Sequence, residues 1–116
     1  MTQHKKVVEA LRDCFARQDW NGMLPMLTDD VERWEVGAPK RTRGKREFED
    51  EMRPGENVTR LADQLFRLVE EGNVVVAEGK VQVFKKDGSV TDVQYCNVHE
   101  FEGERVKRIT SYGNVV

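Results

Sequence analysis

The last third of the chain sets the tightest limit on its fold. Residues 89–116 hold two runs rich in β-branched and aromatic side chains, split by a short turn centred on Gly103. That pattern predicts a β-hairpin. In the first run, Val93, Tyr95, Asn97, His99 and Phe101 share one face; Gln94, Cys96, Val98 and Glu100 share the other. A strand with one plain solvent face would alternate more cleanly. Tyr, Asn and His held between Val93 and Phe101 suggest a covered surface that keeps a few polar groups inside, the way a small-molecule pocket is built. The alternative is an ordinary sheet whose polar side chains are satisfied by neighbours or water.

The rest of the chain must supply what covers that face. At 116 residues it is one domain, spanning 1–116. A chain of this size buries roughly two-thirds of its unfolded surface, enough for a core without staples. Its net charge of -2 gives no reason to expect nucleic acid or membrane as a partner. No long apolar run and no charged-then-apolar leader stand out, so a cytoplasmic protein is expected. Cys14 and Cys96 lack metal-ligand spacing and are expected to be free thiols. With only His4 and His99, a multi-histidine metal site is excluded, and no metal or organic cofactor is expected.

Residues 3–17 read as a helix, with Val7, Val8, Leu11 and Phe15 near one stripe and Arg12 among the polar remainder. Asn21 reads as the N-cap of a short apolar helix over 22–27. Residues 28–30 read as its exit turn, and 31–36 as a strand. On that strand Val31, Arg33 and Glu35 oppose Glu32, Trp34 and Val36. Five of the seven residues 40–46 are basic; this could be an anion site, but acidic residues follow at once and a solvated loop is preferred. Residues 45–52 predict a short helix anchored by Phe48 and Met52. Residues 58–71 are ambiguous. Leu61, Leu65, Leu68 and Val69 fit a helical stripe, whereas Thr59, Leu61, Leu65 and Val69 also fit one strand face, with a hairpin turn at 71–73. Residues 74–84 read as strand, and a turn at 86–88 leads into the final hairpin. Helices followed by a strand meander make an α+β pattern.

Taken together, these segments resemble the nuclear-transport-factor-2-like superfamily. Residues 15–30, FARQDWNGMLPMLTDD, are similar to its opening. Trp34 to Gly37, then Gly44 and the helix at Phe48, resemble the next segment of its SnoaL-like members. The ending FEGERVKRITSY, residues 101–112, is similar to their closing hairpin. The resemblance implies a curved sheet wrapped round a conical cavity, with helices at the mouth. It also implies a strand over 58–71, against local propensity. Ketosteroid isomerases, polyketide cyclases, epoxide hydrolases, dehydratases and noncatalytic binding domains share this fold, so fold alone does not fix function. Carried over by position, Glu35 falls where a ketosteroid isomerase has its general-base aspartate, and Asn97 where it has its oxyanion-binding protonated aspartate. The isomerase tyrosine falls at Leu11, which has no donor, and this counts against steroid isomerisation. Glu35 and Asn97 are thus the expected catalytic pair. Trp34, Tyr95 and His99 are expected to bind substrate.

A Glu35 carboxylate enclosed by Trp34, Tyr95 and apolar walls would have its pKa raised by desolvation. The amide of Asn97 would then steady an oxyanion. Against this, Glu35 could pair with Arg33 or with the basic loop, Asn97 could be satisfied by backbone, and His99 could make a structural hydrogen bond. The expected function is cofactor-free isomerase, cyclase or hydratase chemistry on a hydrophobic carbonyl compound. A noncatalytic ligand-binding or protein-interaction module remains the alternative. Either would be expected as a homodimer paired through the outer sheet face around Cys96 and Val98.

Overall fold

The computed structural model describes residues 2–116. Helix α1 (Gln3–Arg17) opens the chain. The Thr2 hydroxyl accepts from the Lys5 N–H at 3.3 Å, capping it. Gln18 ends it in the left-handed region at φ 57°. Val7, Val8, Leu11 and Cys14 form its buried stripe. His4 stacks on Phe101 with ring centroids 4.1 Å apart, which docks the first turn of the helix against the final hairpin.

The short helical segment begins earlier than the sequence suggests. Asp19, not Asn21, is the N-cap: its carboxylate accepts from the Gly22 N–H at 3.0 Å. Helix α2 (Trp20–Met23) runs directly into a 3₁₀ turn (Leu24–Met26). Strand β1 (Leu27–Glu35) follows at once, so residues 28–30 lie in the strand rather than in a turn. A two-residue strand β2 (Thr42–Arg43) and helix α3 (Gly44–Met52) come next, and Phe48 is the buried residue of α3.

Four long strands complete the chain: β3 (Val58–Glu71), β4 (Val74–Lys85), β5 (Val90–Glu102) and β6 (Arg105–Val115). The six strands form one open, mixed sheet in the order β2-β1-β6-β5-β4-β3. Only β1 and β6 run parallel; every other neighbouring pair is antiparallel. The α+β class is as expected.

Residues 58–71 are strand, and their register explains why they resemble a helix. The pairing of β3 with β4 shifts between Leu65 and Arg67, the mark of a β-bulge. Leu61 and Leu65, four apart, share the inner face by alternation. The extra residue then brings Leu68 inward as well. The resulting 4-then-3 spacing is that of a helical stripe, produced here by a bulge. The same shift turns Val69 outward, where it is 48% exposed, so it does not share the face of Leu61.

Helices α1 and α3 cover one face of the sheet. Val8, Leu27, Val31, Phe48, Val75 and Phe101 form the centre of the core between them. Among the described residues no helix is long and apolar enough to cross a membrane.

Candidate functional site

The core does not fill all the space under the helices. A cavity of about 290 Å³ remains between α1, α3 and the inner sheet face. Leu11, Phe15, Met23, Phe48, Met52 and Ile109 give it apolar walls. Besides an Arg33–Glu51 ion pair at its edge, its polar groups form two clusters.

The first cluster ties the helix to the far strands. Arg12 projects from the flank of α1. Its Nη2 lies 2.8 Å from Asp63 Oδ2, and its Nε donates to Tyr95 Oη at 3.1 Å. Tyr95 Oη in turn donates to Asp63 Oδ1 at 2.7 Å. The Arg12 and Asp63 side chains are only 18% and 7% exposed. Tyr95 reaches Asp63 because Gly79 lies beside it on β4. A Cβ at Gly79 would stand 2.7 Å from Tyr95 Oη and 2.5 Å from the Gln64 carbonyl oxygen. Burial, reinforced by the bond to Asp63, pushes the Tyr95 phenol up to about 12. Tyr95 lines the cavity, but its hydroxyl is already committed to Asp63.

The second cluster follows from strand register. Ser111 on β6 pairs with Glu35 on β1 and with Asn97 on β5. Paired residues point to the same face. Glu35, Ser111 and Asn97 therefore form one row across the cavity floor, and all three line it. Ser111 is 4% exposed. Its Oγ has no hydrogen-bond partner among the described residues. Two other buried polar atoms share that state, on Thr28 and Arg108, but neither residue lines the cavity. Tyr95 and His99, two residues to either side on the same face, each make a side-chain hydrogen bond, whereas the Asn97 amide makes none among the described residues. His99 is also 4% exposed and lines the same cavity. Its Nδ1 lies 3.1 Å from the Val75 carbonyl oxygen. Burial pulls its pKa down to about 4, so the ring is neutral near neutral pH.

Glu35 differs from its expected setting. Its side chain is 56% exposed at the cavity rim. Tyr95 is turned toward Asp63, and Trp34 lies on the opposite face of β1. There Trp34 Nε1 donates to the Ala38 carbonyl at 3.0 Å, and Arg41 sits over its ring. The enclosure that would desolvate Glu35 is therefore absent. Trp34 does not line the cavity, which corrects its expected role in binding. The parity of β1 explains both results, because adjacent residues of a strand face opposite ways. Arg33 does share the face of Glu35, but its closer partner is Glu51 on α3, at 2.6 Å against 3.7 Å to Glu35.

Arg12, Asp63 and Ser111 are cavity residues that the sequence reading missed. Asp63 falls between Leu61 and Leu65 on their strand face, and Ser111 lies two residues after Ile109. Alternation alone was a signal for both. Among the described residues, no three His, Cys, Asp or Glu side chains gather in a way that could hold a metal ion.

An open sheet with helices over one face and a partly polar cavity between them defines a class of small cavity proteins. The SnoaL-like domain family model matches residues 8–109, and the chain belongs to that family. Solved structures agree on the fold. A LEH-like epoxide hydrolase of M. tuberculosis superposes with a TM-score of 0.83 at 20% identity, over 97% of this chain and 83% of that one. A protein proposed to be a SnoaL-like polyketide cyclase, from Shewanella putrefaciens, gives 0.83 at 16% identity, over 97% and 90%. One proposed to be a ketosteroid isomerase, from Kribbella flavida, gives 0.76 at 18%, over 97% and 78%. No curated protein matches the chain in sequence.

Proposed function

We propose that this chain carries out cofactor-free proton transfer on a small, hydrophobic carbonyl compound. Glu35 is the acid/base, and Asn97 with Ser111 receives the developing oxyanion. One observation carries the reading: a buried, unpartnered Ser111 hydroxyl stands between Glu35 and the uncommitted amide of Asn97. Leaving a buried polar atom unpaired costs about 1–3 kcal/mol, so such an atom calls for an explanation. A ligand oxygen over the row would meet the Asn97 amide directly, and Ser111 Oγ, which has almost no accessible surface, would join it on rotating toward the cavity. The relatives proposed to be a cyclase and an isomerase support chemistry of this general kind.

The test needs no knowledge of the natural substrate. Exchange of the α-hydrogens of simple aryl ketones for deuterium, followed by NMR, reports proton abstraction beside a carbonyl. The intact protein should catalyse it. Glu35→Gln should abolish it, since an amide cannot take the proton, and Asn97→Ala should slow it by about 10²-fold. Full exchange activity in Glu35→Gln would overturn the role of Glu35.

A second reading, noncatalytic ligand binding, is favoured by the exposure of Glu35 and by Arg33 beside it. Aryl ketones that bind at Asn97 and never exchange would select it. Under either reading we propose pairing of two copies through the outer sheet face, where Phe66 and Tyr112 are about half exposed around a groove that includes Cys96. Sedimentation giving only single-chain mass at micromolar concentration would refute the pairing.

A further inference from the structure

We infer that His99 is a specificity residue that accepts a hydrogen bond from a ligand hydroxyl, so the preferred ligand is a hydroxylated carbonyl compound. The inference rests on the proposed reading of the cavity as a ligand site. It starts from the tautomer. The Val75 oxygen is a carbonyl and can only accept, so the ring hydrogen must sit on Nδ1. The neutral ring then leaves a lone pair on Nε2.

Among the described residues no donor is hydrogen-bonded to that lone pair. Arg12 and Arg33 are the cationic side chains lining the cavity. Arg12 is held by Asp63 and Tyr95, and Arg33 by Glu51. Tyr95 donates to Asp63. The Ser111 hydroxyl has no partner within hydrogen-bonding distance, so it does not serve His99 either. A molecule in the cavity has to bring the donor, water in the empty site and a ligand hydroxyl in the occupied one.

Register sets where that donor belongs. His99 and Asn97 lie two residues apart on one strand face, about 7 Å along it. A ligand whose carbonyl lies over Asn97 and Ser111 therefore meets His99 with a hydroxyl a few atoms away. The walls between are apolar, which suits a hydrocarbon or aromatic body. At the share of volume a water molecule takes in the liquid, 290 Å³ holds roughly ten non-hydrogen atoms. That is the size of one substituted ring.

Three matched probes separate the contributions. Meta-hydroxyacetophenone carries both groups, acetophenone lacks the hydroxyl, and meta-methoxyacetophenone keeps the oxygen but cannot donate. Calorimetric titration of the intact protein should show the hydroxy compound binding about tenfold tighter than either of the others, the usual scale for one buried hydrogen bond. In His99→Phe that preference should fall to about twofold or less. This variant also strips the Val75 carbonyl of its partner, so nitrogen NMR of the unaltered protein gives a second readout. With only two histidines, the ring signals are simple to assign. The hydroxy compound should shift Nε2 of His99 and leave Nδ1 nearly still; acetophenone should not shift Nε2.

Equal binding of the hydroxy and methoxy compounds, or an unmoved Nε2 signal, overturns the inference. If acetophenone binds in an Asn97-dependent way and the hydroxyl adds nothing, only the role of His99 falls. If none of the three binds, the ligand-site reading falls with it.

Discussion

The two polar clusters share one cavity and have opposite chemistry. Arg12, Asp63 and Tyr95 are joined in a closed ring of contacts: Arg12 reaches both Asp63 and Tyr95, and the Tyr95 hydroxyl donates to Asp63. Among the described residues Ser111 and Asn97 make no hydrogen bond with their side chains, and His99 makes one of the two its ring allows. The first cluster binds α1 to β3 and β5 across the cavity, so its energy goes into holding the helix in place. The second lies on the sheet floor, away from the helix, and leaves valences open at some cost to the empty protein. Polar lining alone therefore does not mark a binding site. Open valence does, and it separates Asn97 and Ser111 from Tyr95, a residue that composition would rank beside them.

The largest effect should come from the closed cluster. Asp63→Ala leaves a mostly buried guanidinium and a phenol without their acceptor. Removing one partner of a buried pair costs about 3–5 kcal/mol. Chemical denaturation should show a loss of that size with little change in slope. A loss under about 1 kcal/mol would put Arg12–Asp63 with solvent-screened surface pairs and erase the contrast.

The second prediction concerns pH. His99 has a folded pKa of about 4, below the ordinary 6.5. Above pH 6.5 neither the folded nor the unfolded chain protonates it, and its effect on stability is constant. As pH falls from 6.5 toward 4, the unfolded chain takes up a proton that the native ring refuses. Stability should therefore drop across that window, by up to about 1.36 kcal/mol per pH unit, and this contribution should level off near pH 4. Burial is the main cause; the Arg12 charge adds to it and the Val75 carbonyl opposes it. An NMR titration in which His99 protonates near pH 6.5 would show that the ring is not sealed as described.

Much of this was legible in the chain. Alternation in residues 93–101 placed Tyr95, Asn97 and His99 on one face, and the β1 pattern placed Glu35 with Arg33. The same β1 parity argued against Trp34, which shares no face with Glu35. Asp63 was obscured by physics rather than by noise. The bulge at Leu65 and Arg67 gives three leucines a helical spacing, and on a helix Asp63 has no defined partner. Arg12 was obscured differently. A long side chain on a helix flank can lie over an apolar surface and deliver its charge several ångströms from its backbone, so a helical wheel counts it as solvent-facing. The closed state of Tyr95 depended on both, and could not be inferred before they were placed.

Ser111→Ala should produce the smallest change in stability and the sharpest test of the contrast. In the empty protein the hydroxyl is buried and unpaired, so removing it discards a penalty and no bond. Stability should stay within about 0.5 kcal/mol of the unaltered chain or rise slightly. Binding should move the other way. A carbonyl probe held by both Ser111 and Asn97 should lose about tenfold in affinity when one donor goes, the scale of one net hydrogen bond. The pairing of signs matters more than either magnitude, because a hydroxyl with a structural partner would lose stability on substitution and leave affinity alone. If Ser111→Ala destabilises the empty protein by more than about 1 kcal/mol, its Oγ has a partner in the fold, and the floor row is as closed as the cluster at Asp63.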